Sequence, residues 1–230
     1  MVKKKDVTEE RIEAVEEALS KSEMFIEKNQ KILIIVIGAI VLIFVLFFGY
    51  KKYVQNPKEK EAEAAMFNAE YYFDQDSVNL ALNGDGERLG FLDIIDDYGS
   101  TKSGNLANYY AGICYLKMGE YENAIDYLKK FESDDQIVSS MALGAIGDSY
   151  VQLGDIDKGI DYYLKAAKNN ENEFVSPPFL MKAAWGYEVN NKWSDALDTY
   201  NKIKKEFPKS REARELEKYI ARAKAKLGEL

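Results

Sequence analysis

The chain contains no histidine, a single cysteine and only four prolines among its 230 residues. Without histidine it lacks the commonest general base and metal ligand, and it cannot form a histidine-dependent catalytic triad. Cys114 alone cannot form an intramolecular disulfide bond or a CxxC site. A Walker-type phosphate loop and a GxGxxG motif are also missing. We therefore expect no cofactor, no bound metal, no small-molecule substrate and no enzymatic activity, with carboxylate-only catalysis as the one chemistry left open.

Basic residues are in deficit as well. Lys and Arg number 31 against 39 Asp and Glu, which gives a formal net charge of −8. The densest basic run, at 202–226, is interrupted by glutamates, whereas a nucleic-acid-binding protein normally presents a clear basic face. We expect no nucleic-acid partner and interpret this run as the polar surface of a terminal helix.

One long apolar run contrasts with this charged background. Residues 32–50 form 19 positions without a charge, close to the roughly 20 helical residues that cross the hydrocarbon core of a bilayer. Lys31 flanks one end and Lys51 and Lys52 the other, where their long side chains can reach the interfaces. A core helix would be polar on one face, and a cleaved signal peptide would have small residues at a cleavage site. The run therefore predicts a single transmembrane helix.

A charged stub, residues 1–31, precedes this predicted span. Its apolar positions recur every three or four residues and predict an amphipathic helix; the stripe consists of Ile12, Val15, Leu19, Ser22 and Ile26. Because the stripe is narrow, a short coiled coil, a contact with a partner helix, a position on the membrane surface and a solvated helix all remain open. The seven Lys and Arg of the stub weakly favour its cytoplasmic side, although lysines flank both ends of the span.

A pattern of small and aromatic residues occurs three times after the span, with separations of 35 and 37 residues. In each copy a small residue is followed by an aromatic, a turn-forming residue, a bulky residue and a second small residue. The copies are Gly112, Tyr115, Gly119, Tyr121 and Ala124; Gly147, Tyr150, Gly154, Ile156 and Gly159; and Ala184, Tyr187, Asn191, Trp193 and Ala196. This spacing predicts helix pairs in which small residues allow close packing, Gly or Asn ends the first helix, and the aromatic fills the space between neighbouring pairs.

A period near 34 residues with this pattern resembles the tetratricopeptide repeat, TPR. We predict an all-α fold, a TPR-type α-solenoid with a single N-terminal transmembrane helix and a preceding amphipathic helix. Three TPR units are expected at 105–209, a linker helix with a degenerate first repeat at 51–104, and a C-terminal capping helix at 210–230. Within the degenerate repeat we expect helices at 58–74 and 87–98. The resemblance implies a protein-binding module.

The concave face of a TPR array is lined by the first helix of each unit. Repeat position identifies these candidate peptide-groove residues: Tyr109, Ile113, Lys117, Asp148, Gln152, Met181, Trp185 and Glu188. Some TPR domains bind C-terminal carboxylates with a set of Lys and Asn residues at these positions. This sequence lacks that set, and we expect the groove to suit apolar or extended peptide segments. Trp185, Tyr109 and Met181 are candidate anchors; the alternative is that each packs on the next repeat.

The order of stub, span, TPR units and terminal helix resembles the bacterial ancillary SecYEG translocon subunit family (YfgM-like). The stretch 98–112 is similar to the start of that family's first clear repeat. The resemblance implies an inner-membrane protein with a cytoplasmic N-terminus and a periplasmic TPR domain, which assists translocation or hands emerging proteins to periplasmic chaperones. The alternatives are an envelope-assembly scaffold for cell-wall or outer-membrane machinery and a cytoplasm-facing TPR receptor on a membrane.

Overall fold

A computed structural model describes the backbone of residues 7–229 and the side chains of residues 23–229. Every regular element in that backbone is helical, which confirms the all-α prediction. The elements are α1 (Val7–Tyr50), a π-helical segment (Lys51–Gln55), α2 (Asn56–Asp74), α3 (Val78–Asn83), α4 (Phe91–Tyr98), α5 (Lys102–Met118), α6 (Tyr121–Lys130), α7 (Gln136–Gln152), α8 (Ile156–Asn169), α9 (Ser176–Val189), α10 (Trp193–Glu206), a 3₁₀ turn (Glu212–Glu215) and α11 (Leu216–Leu227). They form two compact units, Met1–Pro57 and Lys58–Leu230.

The first unit consists of α1 and the π-helical segment. Over the apolar run α1 has no protein core around it, since Ile35 is 70% exposed and Phe47 is 60% exposed. The helix is long and apolar enough to cross a membrane. The predicted stub is helical from Val7 onward. Of its apolar stripe only Ile26 has a described side chain, which is exposed; Ile12, Val15, Leu19 and Ser22 lie outside the described side chains.

The second unit contains three consecutive helix pairs: α5 with α6, α7 with α8, and α9 with α10. Small residues bring the two helices of a pair together, as predicted. A methyl group on Gly147 would lie 3.1 Å from the carbonyl oxygen of Gly159 and 2.7 Å from the ring of Tyr163. One on Gly159 would lie 3.2 Å from the carbonyl oxygen of Gly147. Any larger side chain at these positions would push the helices apart.

The turn inside each pair also follows the prediction. The residues that end the first helices, Gly119, Gly154 and Asn191, have φ of 81°, 84° and 56°, a left-handed conformation open mainly to Gly and Asn. In the first turn the N–H of Glu120 donates to the carbonyl oxygen of Tyr115 at 2.9 Å, and the other two turns repeat this bond. This bond satisfies a carbonyl group that the end of the helix would otherwise leave unpaired.

The repeated tyrosines depart in part from their predicted place between neighbouring pairs. Tyr115 stacks on Tyr127 with ring centroids 5.2 Å apart, and Tyr150 stacks on Tyr162 at 5.4 Å. Both contacts join the two helices of one pair. Tyr150 also reaches the preceding pair, because its hydroxyl accepts a hydrogen bond from Lys129 Nζ at 3.2 Å.

The region before the three pairs differs from the expected two helices. Helix α4 begins at Phe91, four residues after the predicted start at Glu87, and the short helix α3 was not predicted. The reason is a turn held by Asp85, whose carboxylate accepts the backbone N–H groups of Glu87 at 2.9 Å and Arg88 at 2.7 Å. The Tyr72 hydroxyl donates to the same carboxylate at 2.6 Å. The bond from Tyr72, followed by those from Arg88 and Glu87, lowers the pKa of Asp85 to about 2.

The C-terminal end carries the expected helix with a 3₁₀ first turn. Ser210 Oγ accepts the N–H of Ala213 at 3.2 Å at the start of this segment. Leu216, Ile220 and Ala223 are buried and belong to the same apolar cluster as α9 and α10. Helix α11 therefore covers the apolar face of the last pair.

Candidate peptide-binding groove

Helix α9 presents Trp185 between two apolar cavities. One cavity, of about 320 Å³, lies between α9 and the C-terminal segment and is lined by Pro178, Met181 and Tyr219 among others. The second, of about 260 Å³, lies between α9 and the preceding pair and is lined by apolar residues that include Val151, Ile156 and Val189. Trp185 and Lys182 line both cavities, so the two lie next to each other along α9 and form one groove.

Trp185 is the most exposed of the three predicted anchor residues. The side chain is 44% exposed, and its ring lies 6.3 Å from the ring of Tyr219. Met181, predicted as a second anchor, is 5% exposed and belongs to the apolar cluster under α9 and α10. It contributes to the floor of the larger cavity, where a bound side chain would meet it.

An ion pair joins the first helices of two neighbouring pairs beside the groove. Lys182 Nζ donates to both carboxylate oxygens of Asp148, each at 2.7 Å, and the Tyr163 hydroxyl donates to Asp148 at 2.6 Å. Burial, followed by the hydrogen bond to Asp148, raises the pKa of Tyr163 above its ordinary value. Because Asp148 and Lys182 neutralise each other, the wall that they share carries little net charge.

Glu188 lies on a different side of α9. Its carboxylate accepts from the Tyr200 hydroxyl at 3.0 Å and from Arg222 Nε at 3.3 Å, which ties α9 to α10 and α11. The residue that lines the smaller cavity is its neighbour Val189, which is 66% exposed. Val189 was not among the predicted groove residues. The signal that could have found it is the four-residue spacing: Val189 follows Trp185 on α9 at the same distance as Gln152 follows Asp148 on α7.

The candidates on α5 contact residues of neighbouring segments of the chain. Tyr109 is half-buried with its ring 5.4 Å from that of Phe131, and Ile113 is half-buried in the apolar cluster between α6 and α7. Lys117 forms an ion pair with Asp76 at 2.8 Å. Gln152 is exposed at the end of α7 and lines neither cavity of the groove. The structure thus gathers Asp148, Met181 and Trp185 at the groove and places the other five candidates elsewhere.

Helix α7 adds two exposed apolar residues that were not predicted as candidates. Ile137 is 52% exposed and Met141 is 50% exposed, and both lie one or two helical turns before Gly144 on the same ridge. At Gly144 the ring of Phe179 approaches so closely that a methyl group would lie 2.1 Å from it. This glycine therefore sets how closely α9 packs on α7.

Among residues 23–229 no group of three or more His, Cys, Asp or Glu side chains is arranged to hold a metal ion. Burial raises the pKa of Cys114 to about 12, so this thiol is a neutral packing group.

Family models for the tetratricopeptide repeat match three segments of the chain, at 106–134, 142–173 and 179–210. These segments coincide with the three helix pairs, and the groove is lined by residues of the last two pairs and of the C-terminal segment. A comparison with curated proteins finds no match. The chain therefore carries tetratricopeptide repeats, which act as scaffolds for protein–protein interaction, and no catalytic family is indicated.

Proposed function

We propose that this protein is a membrane-tethered TPR scaffold that binds an apolar, extended segment of a partner protein in the groove around Trp185. The observation that carries the proposal is the position of this indole ring as a shared wall of two apolar cavities. Partly exposed aromatic residues in such positions are frequent centres of binding energy, because burying them removes a large apolar area from water.

The size and polarity of the groove define the segment that fits. Cavities of about 320 and 260 Å³ each accommodate one or two side chains. The larger cavity is lined by the apolar or aromatic residues Pro178, Met181, Trp185 and Tyr219 and by the charged residues Lys182, Arg211, Glu212 and Glu215. We therefore expect apolar or aromatic side chains on either side of Trp185, with the backbone of the ligand crossing the ring.

We further propose that α1 crosses the bacterial inner membrane and holds the TPR unit in the periplasm. There it assists protein translocation at the Sec translocon or hands emerging proteins to periplasmic chaperones. The support is the exposed apolar run of α1, the TPR matches, and the resemblance of the layout to the YfgM-like family. An emerging polypeptide presents extended apolar segments, which is the ligand chemistry that the groove suits. An envelope-assembly scaffold is the alternative.

The groove is tested by Trp185→Ala in the full chain, with Phe174→Ala as a matched control that removes an 88% exposed aromatic lining neither cavity of the groove. After mild detergent extraction from membranes, Trp185→Ala should lower the recovery of co-purified Sec subunits or chaperones about tenfold, the loss typical of a hot-spot residue. Equal recovery with both variants would refute the groove. Co-purification of cell-wall enzymes in place of Sec subunits would favour the envelope-assembly alternative.

The topology is tested separately by protease treatment of spheroplasts. We expect digestion of the TPR unit when protease is added outside intact spheroplasts. Protection of the unit until the membrane is permeabilised would overturn the periplasmic placement and leave the groove itself untouched.

A further inference from the structure

A third cavity continues the groove along the C-terminal segment. Its volume is about 520 Å³. It shares Arg211 and Glu212 with the larger cavity of the groove. The larger cavity in turn adjoins the smaller one at Trp185 and Lys182. The three cavities therefore follow one another in a row, and a segment bound around Trp185 can extend into the third.

Basic side chains dominate the accessible charge of this third cavity. Lys209, Arg211 and Arg214 line it and are exposed. Within residues 23–229 none of these three forms an ion pair. The two carboxylates that also line the cavity, those of Glu173 and Glu212, belong to half-buried residues. The cavity thus presents positive charge to a ligand, in a chain whose net charge is −8.

The backbone that carries these basic residues is held in place by hydrogen bonds. Ser210 is buried, and its Oγ donates to the carbonyl oxygen of Phe207 at 2.8 Å and accepts the N–H of Ala213 at 3.2 Å. Lys209 and Arg211 are the immediate neighbours of this buried serine, and both are exposed. Because the turn is formed before a ligand arrives, binding does not have to order it.

We propose that the partner segment has acidic side chains next to its apolar ones. The apolar part lies in the two cavities beside Trp185, and the acidic part lies in the third cavity, against its three basic side chains. This inference rests on the proposed groove and defines its ligand more closely. Charge complementarity identifies the acidic part, because unpaired cations around a cavity attract carboxylates and repel basic segments.

The dimensions of the groove set the length of the apolar part. Pro178 lines the larger cavity, Val189 lines the smaller one, and the two are 11 residues apart on α9. At about 1.5 Å per residue this is about 16 Å, which an extended segment covers with about five residues at about 3.3 Å each. A run of about five apolar residues followed by a few acidic ones therefore reaches all three cavities.

Fluorescence anisotropy with labelled peptides tests this preference on the full chain in mild detergent. The probes are C-terminally amidated peptides in which the same apolar run is followed by aspartates, by serines or by lysines. The aspartate peptide should bind about tenfold more tightly than the serine peptide, because several exposed ion pairs each add a small gain. The lysine peptide should bind most weakly. In about 1 M salt, where the Debye length is about 3 Å, these differences should disappear.

A double charge reversal at the third cavity tests where the preference arises. Lys209→Glu combined with Arg214→Glu should abolish the preference for aspartate. Lys205→Glu combined with Lys226→Glu changes the net charge equally at exposed lysines that line none of the three cavities, and it should keep the preference. Phe174→Ala removes an uncharged ring that borders the third cavity and should keep the preference as well.

The outcomes separate this inference from the groove itself. Equal affinity for the aspartate and serine peptides would overturn the acidic preference and leave the groove unaffected. A preference that persists in Lys209→Glu combined with Arg214→Glu would overturn its assignment to the third cavity. Failure of every peptide to bind, or binding that Trp185→Ala does not weaken, would overturn the groove together with this extension of it.

Discussion

The two ends of the unit Lys58–Leu230 are built alike on the inside and differently on the outside. At one end α2 buries Met66 and its neighbours, and at the other end α11 buries Leu216, Ile220 and Ala223. Outside, α11 presents mainly charged residues, several of which form ion pairs, such as Lys218 with Glu215. The outer side of α2 presents two aromatic rings. The comparison indicates that the C-terminal end closes the array against water, whereas the N-terminal end is suited to a further contact.

The largest effect is expected from truncating the inner faces of the two ends. Phe91 and Leu216 are fully buried at the N-terminal and C-terminal ends respectively. Phe91→Ala should lower the free energy of unfolding by about 3–5 kcal/mol and Leu216→Ala by about 2–5 kcal/mol, because each leaves a cavity in a packed cluster. Urea unfolding of the full chain in mild detergent, followed by circular dichroism, measures both. A loss below 1 kcal/mol at either end would show that this end is loosely packed. It would contradict the statement that the two ends are built alike on the inside.

A smaller effect, with a pH dependence, is expected at Glu59 on α2. Its carboxylate accepts the N–H groups of Lys102 at 2.7 Å and Ser103 at 3.0 Å at the start of α5. Burial raises the pKa of Glu59, but these hydrogen bonds outweigh it and hold the pKa below its ordinary value of 4.5. Its stabilising contribution is therefore present above pH 4.5 and is lost as pH falls through the lowered folded-state pKa.

Glu59→Gln should therefore lower the free energy of unfolding by about 1 kcal/mol at pH 7. The difference from the unsubstituted protein should shrink as pH falls below 4.5. Urea titrations at several pH values measure it. If the difference in unfolding free energy between the two proteins stayed constant at all pH values below 4.5, the contribution of Glu59 would depend on the shape of its side chain and not on its charge.

The smallest effect on folding is expected from Phe67→Ala on the outer face of α2. Because Phe67 is 71% exposed, its removal should change the free energy of unfolding by less than about 0.5 kcal/mol under conditions where the chain is monomeric. A large loss of stability in the monomer would mean that Phe67 packs against its own unit. The outer faces of α2 and α11 would then not differ in the way described above.

Local features of this fold were predictable because they depend on residues close together in the chain. The turns at Gly119, Gly154 and Asn191 need a residue that tolerates positive φ, and the spacing of small residues predicted which helices approach closely. The late start of α4 was not predictable in the same way. It depends on Tyr72, 13 residues earlier, donating to Asp85, a contact that no periodicity indicates.

The groove was predictable as a region and less so as a set of residues. Repeat position led to α7 and α9 and to Trp185, because equivalent positions in stacked helix pairs face the same way. Repeat position did not show which of two adjacent residues on α9, Glu188 or Val189, lies at the groove. Which of the two lies at the groove depends on where α10 and α11 pack, since these helices supply Tyr200 and Arg222 as partners for Glu188.

The sequence by itself determined the helical class, the repeat with its turns, the long apolar run and the lack of histidine chemistry. Each of these follows from composition or from spacing within a few turns of helix. Only the tertiary structure decided which predicted groove residues lie together, which are paired with neighbouring helices, and that Phe67 and Tyr71 are left exposed. The reason is that a side chain becomes available for binding only when no other helix covers it, and the covering helix can lie anywhere along the chain.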